Sequence, residues 1–176
     1  MIVLETERLI LRAFEEDDFD LLVELDSDPE VMRFITDGHP RSPEETEPRF
    51  KSRFLIPYEN KPPGFLAAIE KISKIFIGWF QFELPPSGNE GGELGYRLKK
   101  EYWGKGYATE GSKALIQKGF DDWEVERVFA RAMKANRASI RVMEKCGLTF
   151  VKNYHEPLFP GIDKEGVVYE LKDIRL

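Results

Sequence analysis

Apolar residues recur along the chain with two periods, near two and near 3.6, and the changes from one to the other outline its elements. Residues 7–14 read as a strand, with Leu9 and Leu11 alternating against Arg8, Ile10 and Arg12. Glu16-Asp17-Asp18 then opens a helix whose buried stripe is Phe19, Leu22 and Val23. Asp28-Pro29 breaks it, and residues 29–34 supply a further short helical turn. Ser42-Pro43-Glu44-Glu45 has the form of a helix start: a capping hydroxyl, proline at the first helical position, then acids near the positive end of the dipole. The helix that follows is poor in apolar residues and interrupted by Pro48, which predicts a mobile segment.

The strand period returns at residues 65–70 and 75–84, joined by the hairpin-sized Lys71-Ile72-Ser73-Lys74. A Pro/Ser/Gly loop at 85–89 and Gly91-Gly92 precede another strand at 93–98. Residues 107–122 form an amphipathic helix with Ala108, Leu115, Ile116 and Phe120 on one side. A strand at 128–132 leads to a helix at 136–146, capped by Asn136, with Ile140 and Met143 inward and Gly147 terminating it in the left-handed position. Strands at 150–154 and 167–171 complete the chain. This order predicts an α/β domain with a mixed central sheet of about seven strands flanked by helices. No repeat or long linker divides it, so one domain over 1–176 is expected.

Composition narrows the function. No apolar stretch reaches the roughly 18–20 residues of a membrane span, and the N-terminus lacks the basic-then-apolar pattern of a signal peptide. Cys146 is the single cysteine, so no internal disulfide forms and a reducing cytoplasm is expected. Two histidines without close Cys or Asp companions give no metal site. Net charge is −6, divided as −9 over residues 1–60 and +3 over 61–176. Without a basic face, nucleic acid is not an expected partner. An acidic first third suits a cationic substrate and a basic remainder an anionic cofactor, although solvated acidic helices explain the pattern equally well.

The most informative segment is Tyr102-Trp103-Gly104-Lys105-Gly106-Tyr107-Ala108-Thr109-Glu110, between a strand and a helix. Orphan N–H groups and the helix dipole make an anion site there, and glycine lets phosphate approach the backbone. It is not a Walker loop, since position 99 is Lys and position 106 is Gly; nor is it a dinucleotide fingerprint, which would need Gly or Ala where Thr109 stands.

With its neighbours, this segment resembles the GNAT superfamily of N-acetyltransferases, and within it the RimJ/RimL-like branch of ribosomal-protein N-terminal acetyltransferases. The likeness runs through Leu4-Glu5-Thr6-Glu7-Arg8-Leu9-Ile10-Leu11-Arg12, Asp17-Asp18, Ile77-Gly78 and Gly92-Glu93-Leu94-Gly95-Tyr96-Arg97-Leu98. It continues through residues 102–110, Asn136-x-x-Ser139 and residues 144–150. The superfamily's Gln/Arg-x-x-Gly-x-Gly/Ala falls on Trp103, Gly106 and Ala108, with Trp103 a departure from the general pattern. The resemblance implies acetyl-CoA as cosubstrate, its diphosphate on the N–H groups of Gly104, Lys105, Gly106, Tyr107, Ala108 and Thr109. It also implies that the backbone of Tyr96, Arg97 and Leu98 pairs with the pantetheine arm, as a strand pairs at a sheet edge, with Asn136 a further contact.

Acetyl transfer needs a neutral amine, a stabilised oxyanion and a protonated leaving thiolate. Many superfamily members protonate the thiolate with a Tyr on the last helix; here Met143 stands at that position, and Ser139 is the substitute the resemblance suggests. Glu93 is the leading base, with Glu83 and Glu110 as rivals, Glu110 reading better as a first-turn acid; Tyr154 is a candidate to line the site, although a strand aromatic is more often core. The expected activity is transfer to a primary amine, on a protein N-terminus or a small molecule, in a ternary complex. A catalytically idle acyl-CoA sensor is the alternative, because Met143 cannot donate a proton. Acidic Glu44, Glu45 and Glu47 suggest a cationic acceptor, chosen by the irregular segments 29–62 and 154–166. A monomer or homodimer is expected.

Overall fold

The computed structural model describes residues 1–56, 62, 64–85, 91–161 and 164–174; most of the loop read at 85–89 lies outside them. The chain runs β1 (Ile2–Glu5), β2 (Leu9–Ala13), α1 (Phe19–Ser27), α2 (Pro29–Met32), α3 (Pro43–Arg49), β3 (Gly64–Glu70), β4 (Phe76–Glu83) and β5 (Gly92–Leu98). It continues through α4 (Tyr107–Asp121), β6 (Arg127–Met133), α5 (Arg137–Lys145), β7 (Thr149–His155) and β8 (Glu165–Lys172). Among the described residues the strands form one sheet of eight, ordered β1-β2-β3-β4-β5-β6-β8-β7. Every neighbouring pair is antiparallel except β5 with β6.

The eighth strand arises at the start. The strand read at 7–14 is β2, and β1 precedes it through a tight turn: Thr6 N–H bonds Leu9 O, and the Thr6 hydroxyl accepts the Leu9 N–H, each at 2.9 Å. One threonine side chain therefore turns the chain where the apolar alternation alone shows no break.

Helices cover both faces of the sheet. On one, Leu9, Leu11, Ile77, Phe80, Phe82, Leu94 and Leu98 pack against Leu115 and Ile116 of α4 and Ile140 and Met143 of α5. On the other, Phe65, Ala67, Phe76 and Trp79 meet Leu22 and Leu25 of α1, with Phe50 and Phe54 from the turn after α3. Each fully buried phenylalanine contributes about 1.5–3 kcal/mol.

The predicted cap at Ser42 is present in full, its hydroxyl accepting from Glu45 N–H and the Glu45 carboxylate from Ser42 N–H. The segment beyond Pro48 closes into a wide turn, with Leu55 N–H bonding Phe50 O at 3.1 Å. That turn buries both phenylalanines, and Phe54 stacks on Phe65 at 4.3 Å between centroids. In α1 the innermost residues are Leu22, Leu25 and Asp26, with Val23 only half-buried. Arg12 on β2 holds both oxygens of Asp18, at 2.6 and 2.7 Å, which sets the start of that helix against the sheet.

Helix α4 lies directly on the sheet because two glycines face it, about two turns apart. A Cβ at Gly111 would sit 2.3 Å from Phe80 Cζ, and one at Gly119 2.6 Å from Phe82 Cζ. That close seat brings the head of α4 to the C-terminal end of β5, where the candidate site lies.

Candidate active site

Strand β5 ends at Leu98 and passes through a short 3-10 turn, Lys100–Tyr102, into the glycine segment. Gly104 has φ +70° and Gly106 φ +86°, left-handed values that cost an L-residue about 1–2 kcal/mol. Gly106 is the N-cap of α4 and offers no side chain to its first turn, so the leading N–H groups of the helix point outward uncapped. A Cβ at Gly104 would meet nothing within 4 Å, so the turn is open on that side. Uncapped amides, a positive helix end and open space suit a diphosphate.

The turn is anchored from β2 and its hairpin. Arg8 donates to Lys105 O (2.9 Å) and to Glu110 Oε2 (2.6 Å), and its guanidinium lies 4.3 Å from the Tyr107 ring centroid. Glu110 also accepts from the Thr6 hydroxyl (2.6 Å) and Arg8 N–H (2.8 Å). Burial pushes the Glu110 pKa up, but the bonds from Thr6 and Arg8 outweigh it and hold the carboxyl below its ordinary value. Glu110 thus anchors the head of α4 to the turn between β1 and β2. The Lys105 ammonium lies 5.5 Å from the Tyr102 ring centroid, and the Trp103 indole N–H bonds Leu98 O at 2.8 Å.

The second element is a wedge in the sheet. Among the described residues β5 pairs with β6 only at Gly92–Val128 and Glu93–Phe129. Beyond that point β5 stays with β4 as far as Leu98, while β6 stays with β8 as far as Met133. From Leu94 onward one edge of β5 has no strand partner among the described residues, and the backbone of Tyr96, Arg97 and Leu98 lies on this stretch. Helix α5 begins beside the wedge. Asn136 Oδ1 accepts from Ser139 N–H at 3.2 Å, and burial raises the Tyr96 pKa while the neighbouring Ser139 side chain opposes the rise. Met143, one helical turn further, is buried in the core.

The remaining candidates lie on the α1 and α3 face of the sheet. Glu93 accepts from Arg131 Nε (2.9 Å) and Nη2 (3.0 Å), so both its oxygens are engaged. The hydrogen bond to Glu93 raises the Arg131 pKa, and Arg131 in turn opposes the upward push of burial on Tyr154. Opposite Glu93 in register stands Glu83, bound by Arg53 at 2.9 and 3.1 Å and by Gln81 at 2.7 Å. The Arg97 side chain turns away from the glycine turn and pairs with the buried Asp26. Glu44, Glu45 and Glu47 are exposed; Glu45 caps its own helix and Glu47 pairs with Lys51. Cys146 is buried, and burial pushes its thiol up to about 11, so it is no nucleophile.

Sequence reasoning missed Arg8, Arg131 and Asp26. The first two read as ordinary strand cations, and Asp26 as a solvated helix acid. Among the described residues no cluster of His, Cys, Asp or Glu could hold a metal ion, and no helix is long and apolar enough to cross a membrane.

Comparison with known proteins agrees with this geometry. Residues 8–149 match the model of the acetyltransferase (GNAT) domain. The FsC-acetyl coenzyme A-N(2)-transacetylase of Aspergillus fumigatus is 30% identical over 178 residues, covering 96% of this chain and 75% of that protein. A GNAT-family acetyltransferase from Bacillus anthracis superposes with a TM-score of 0.80 at 25% identity, over 98% of both chains. Spermidine N-acetyltransferase from Vibrio cholerae, solved with CoA and spermine, shares the fold at TM-score 0.79 and 17% identity, over 95% of this chain and 96% of that one. The chain belongs to the GNAT acetyltransferase family and is an acetyl-CoA-dependent N-acetyltransferase.

Proposed function

We propose that the chain moves the acetyl group of acetyl-CoA directly to a primary amine, a protein N-terminal α-amine or a small amine or amino acid, in a ternary complex. One observation carries the reading: an uncapped, open glycine turn heads α4 beside a strand edge that leaves its neighbour after Glu93. In this reading the N–H groups from Gly104 to Thr109 hold the diphosphate. The free edge at Tyr96, Arg97 and Leu98 takes the amides of the pantetheine arm, Asn136 adds a contact, and the thioester comes to rest near Gly95. The order of motifs favours the RimJ/RimL-like branch. The Aspergillus relative, named for transacetylation at N(2), favours the small-molecule side of the acceptor range. A single domain over 1–176 acting in the cytoplasm, as a monomer or homodimer, fits the same reading.

The chemistry follows from what surrounds the wedge. An α-amine with pKa near 8 is about a tenth neutral at pH 7, whereas a lysine amine is neutral only to about 0.04%. Glu93, held by Arg131, takes the ammonium proton directly or through water. The nitrogen lone pair then attacks the thioester carbonyl while a main-chain N–H of β5 receives the oxyanion. The C–N bond forms and the nitrogen sheds its second proton to solvent; the C–S bond breaks, and the departing sulfur takes the Ser139 hydroxyl proton, which solvent replaces. CoA thiol release with a mixture of primary amines tests the reading. The wild type should exceed the uncatalysed rate, and Ser139→Ala should lower kcat about 100-fold. Release no faster than without protein would leave only a CoA-binding module.

A further inference from the structure

Under α1 and α3, on the sheet face opposite α4, three guanidiniums gather about one carboxylate. Asp26 is fully buried; Arg97 Nη1 donates to its Oδ1, and Arg49 Nη1 stands 3.5 Å from its Oδ2, an ion pair beyond hydrogen-bond geometry. The Arg41 N–H bonds the Asp26 carbonyl at 2.8 Å, which brings that arginine to the same place. Burial lowers the Arg49 pKa first, Arg97 and Arg41 lower it further, and Asp26 opposes them. Burial likewise lowers the Arg97 pKa, with Asp26 opposing and Arg41 adding to the fall. Guanidinium stays charged in proteins, so three guanidiniums against Asp26, with Asp37 a further carboxylate that feels Arg41, leave this cluster with positive charge in excess. The nearby Arg53 is matched by Glu83.

Donors are in excess as well. The Arg97 Nε, Arg41 Nε and Trp79 Nε1 groups are buried with no acceptor, and Trp79 stands opposite Arg97 in register with the guanidinium 5.0 Å from its ring centroid. Buried N–H groups and unmatched charge are costly unless something accepts from them. Arg97 is 5% exposed and holds the floor, while Arg49 is 29% exposed and opens the cluster to solvent. Along the same face the cross-strand pairs run Trp79–Arg97, Gln81–Gly95, Glu83–Glu93. Gly95 has no side chain of its own, and the Gln81 side chain lies against it, with Oε1 3.2 Å from where a Cβ would stand; Gly95 is about 7 Å from Arg97 along the strand.

We infer that the acceptor carries an anionic group, a carboxylate, which docks on Arg49 and Arg41 against Trp79 while its amine lies near Gly95, beside the Gln81 amide. The inference rests on the proposed function, because the thioester near Gly95 is what places the amine there. The acceptor class is then a zwitterion, an amine and a carboxylate held apart by a short chain, and not a polycation.

The test compares kcat/KM for aminobutanoate, aminopentanoate and aminohexanoate, each with terminal amine and carboxylate, against primary alkylamines of the same length. The wild type should prefer the best zwitterion by about 10- to 100-fold, the worth of a charge-assisted bond. Arg49→Gln should bring that ratio close to one and Arg49→Lys should restore part of it. Pentanoate, which has no amine, should inhibit the wild type competitively against the acceptor, a measurement that needs no variant to fold. A wild-type ratio near one without inhibition by pentanoate overturns the inference, and acetylated alkylamines in that same experiment leave the acetyltransferase reading standing. Thiol release with none of these amines, nor with the wider mixture, would overturn both.

Discussion

Replacing Gly104 by alanine separates the proposed diphosphate site from the fold that carries it. Gly104 has φ +70°, and a Cβ there meets no atom within 4 Å. The folded protein therefore loses only backbone strain, about 1–2 kcal/mol. At about 2–4 °C per kcal/mol for a domain of this size, the Tm should fall by about 2–8 °C. The open side of the turn is where phosphate oxygens must approach, so the new methyl group should cost at least one N–H bond to a charged acceptor. Such a bond is worth about 1.5–3 kcal/mol, a loss of roughly 10- to 150-fold in CoA affinity. Calorimetric titration with CoA measures the loss, and pantetheine, which has no diphosphate, supplies the control: its affinity should change less than twofold. A Tm lowered by the strain alone, with CoA binding as tightly as before, would refute the assignment of the turn.

Glu110→Gln should loosen the same turn and destabilise the protein at pH 7 by about 1–3 kcal/mol, because partly buried donors from Thr6 and Arg8 lose a charged acceptor. The folded-state pKa of Glu110 is depressed, so the contribution is full above the unfolded value of about 4.3 and fades as pH falls through the folded one. Thermal melts of wild type and variant should therefore converge in acid, and a gap that persists there would contradict the account. Cys146, with its thiol pushed up to about 11, is about 0.1% thiolate at pH 8 and should resist iodoacetamide until the protein unfolds. Its contribution to stability is intact below the unfolded value of about 8.5 and falls as pH rises toward the folded one. Glu93→Gln should lower kcat/KM at neutral pH by about 100-fold and leave a rate that climbs with pH toward the pKa of the amine; an unchanged pH profile would remove Glu93 as proton acceptor.

What was legible in the chain was written locally. Gly104 and Gly106 announce left-handed backbone, Ser42-Pro43 with Glu45 announces a cap, and Asn136 and Gly147 bracket α5, because each signal is settled within a few residues. The α/β class followed from the order of those elements. The illegible part lies in contacts between distant positions. Arg8 meets Glu110 across 102 residues, Arg97 meets Asp26 across 71 and Arg131 meets Glu93 across 38. Nothing in the helical period at 19–27 marks Asp26 as interior, since Leu25 beside it already fills the expected apolar position. The acidic surplus of the first third misleads for the same reason. Its glutamates on α3 face solvent, while Arg41 and Arg49 of the same stretch turn inward.

Among the described residues two rungs, Gly92 with Val128 and Glu93 with Phe129, tie the first five strands to the last three through the sheet itself. The sheet is thus two boards joined at one end, and in the proposed binding mode the cosubstrate is the slat that completes the panel. At one hundred times its Kd it would add about 2.7 kcal/mol to the stability of the whole. Amide exchange should register that gain most strongly along the two facing margins, residues 94–98 and 130–133. An acetyltransferase assembled this way stiffens as it loads, and the stiffness leaves with the spent thiol.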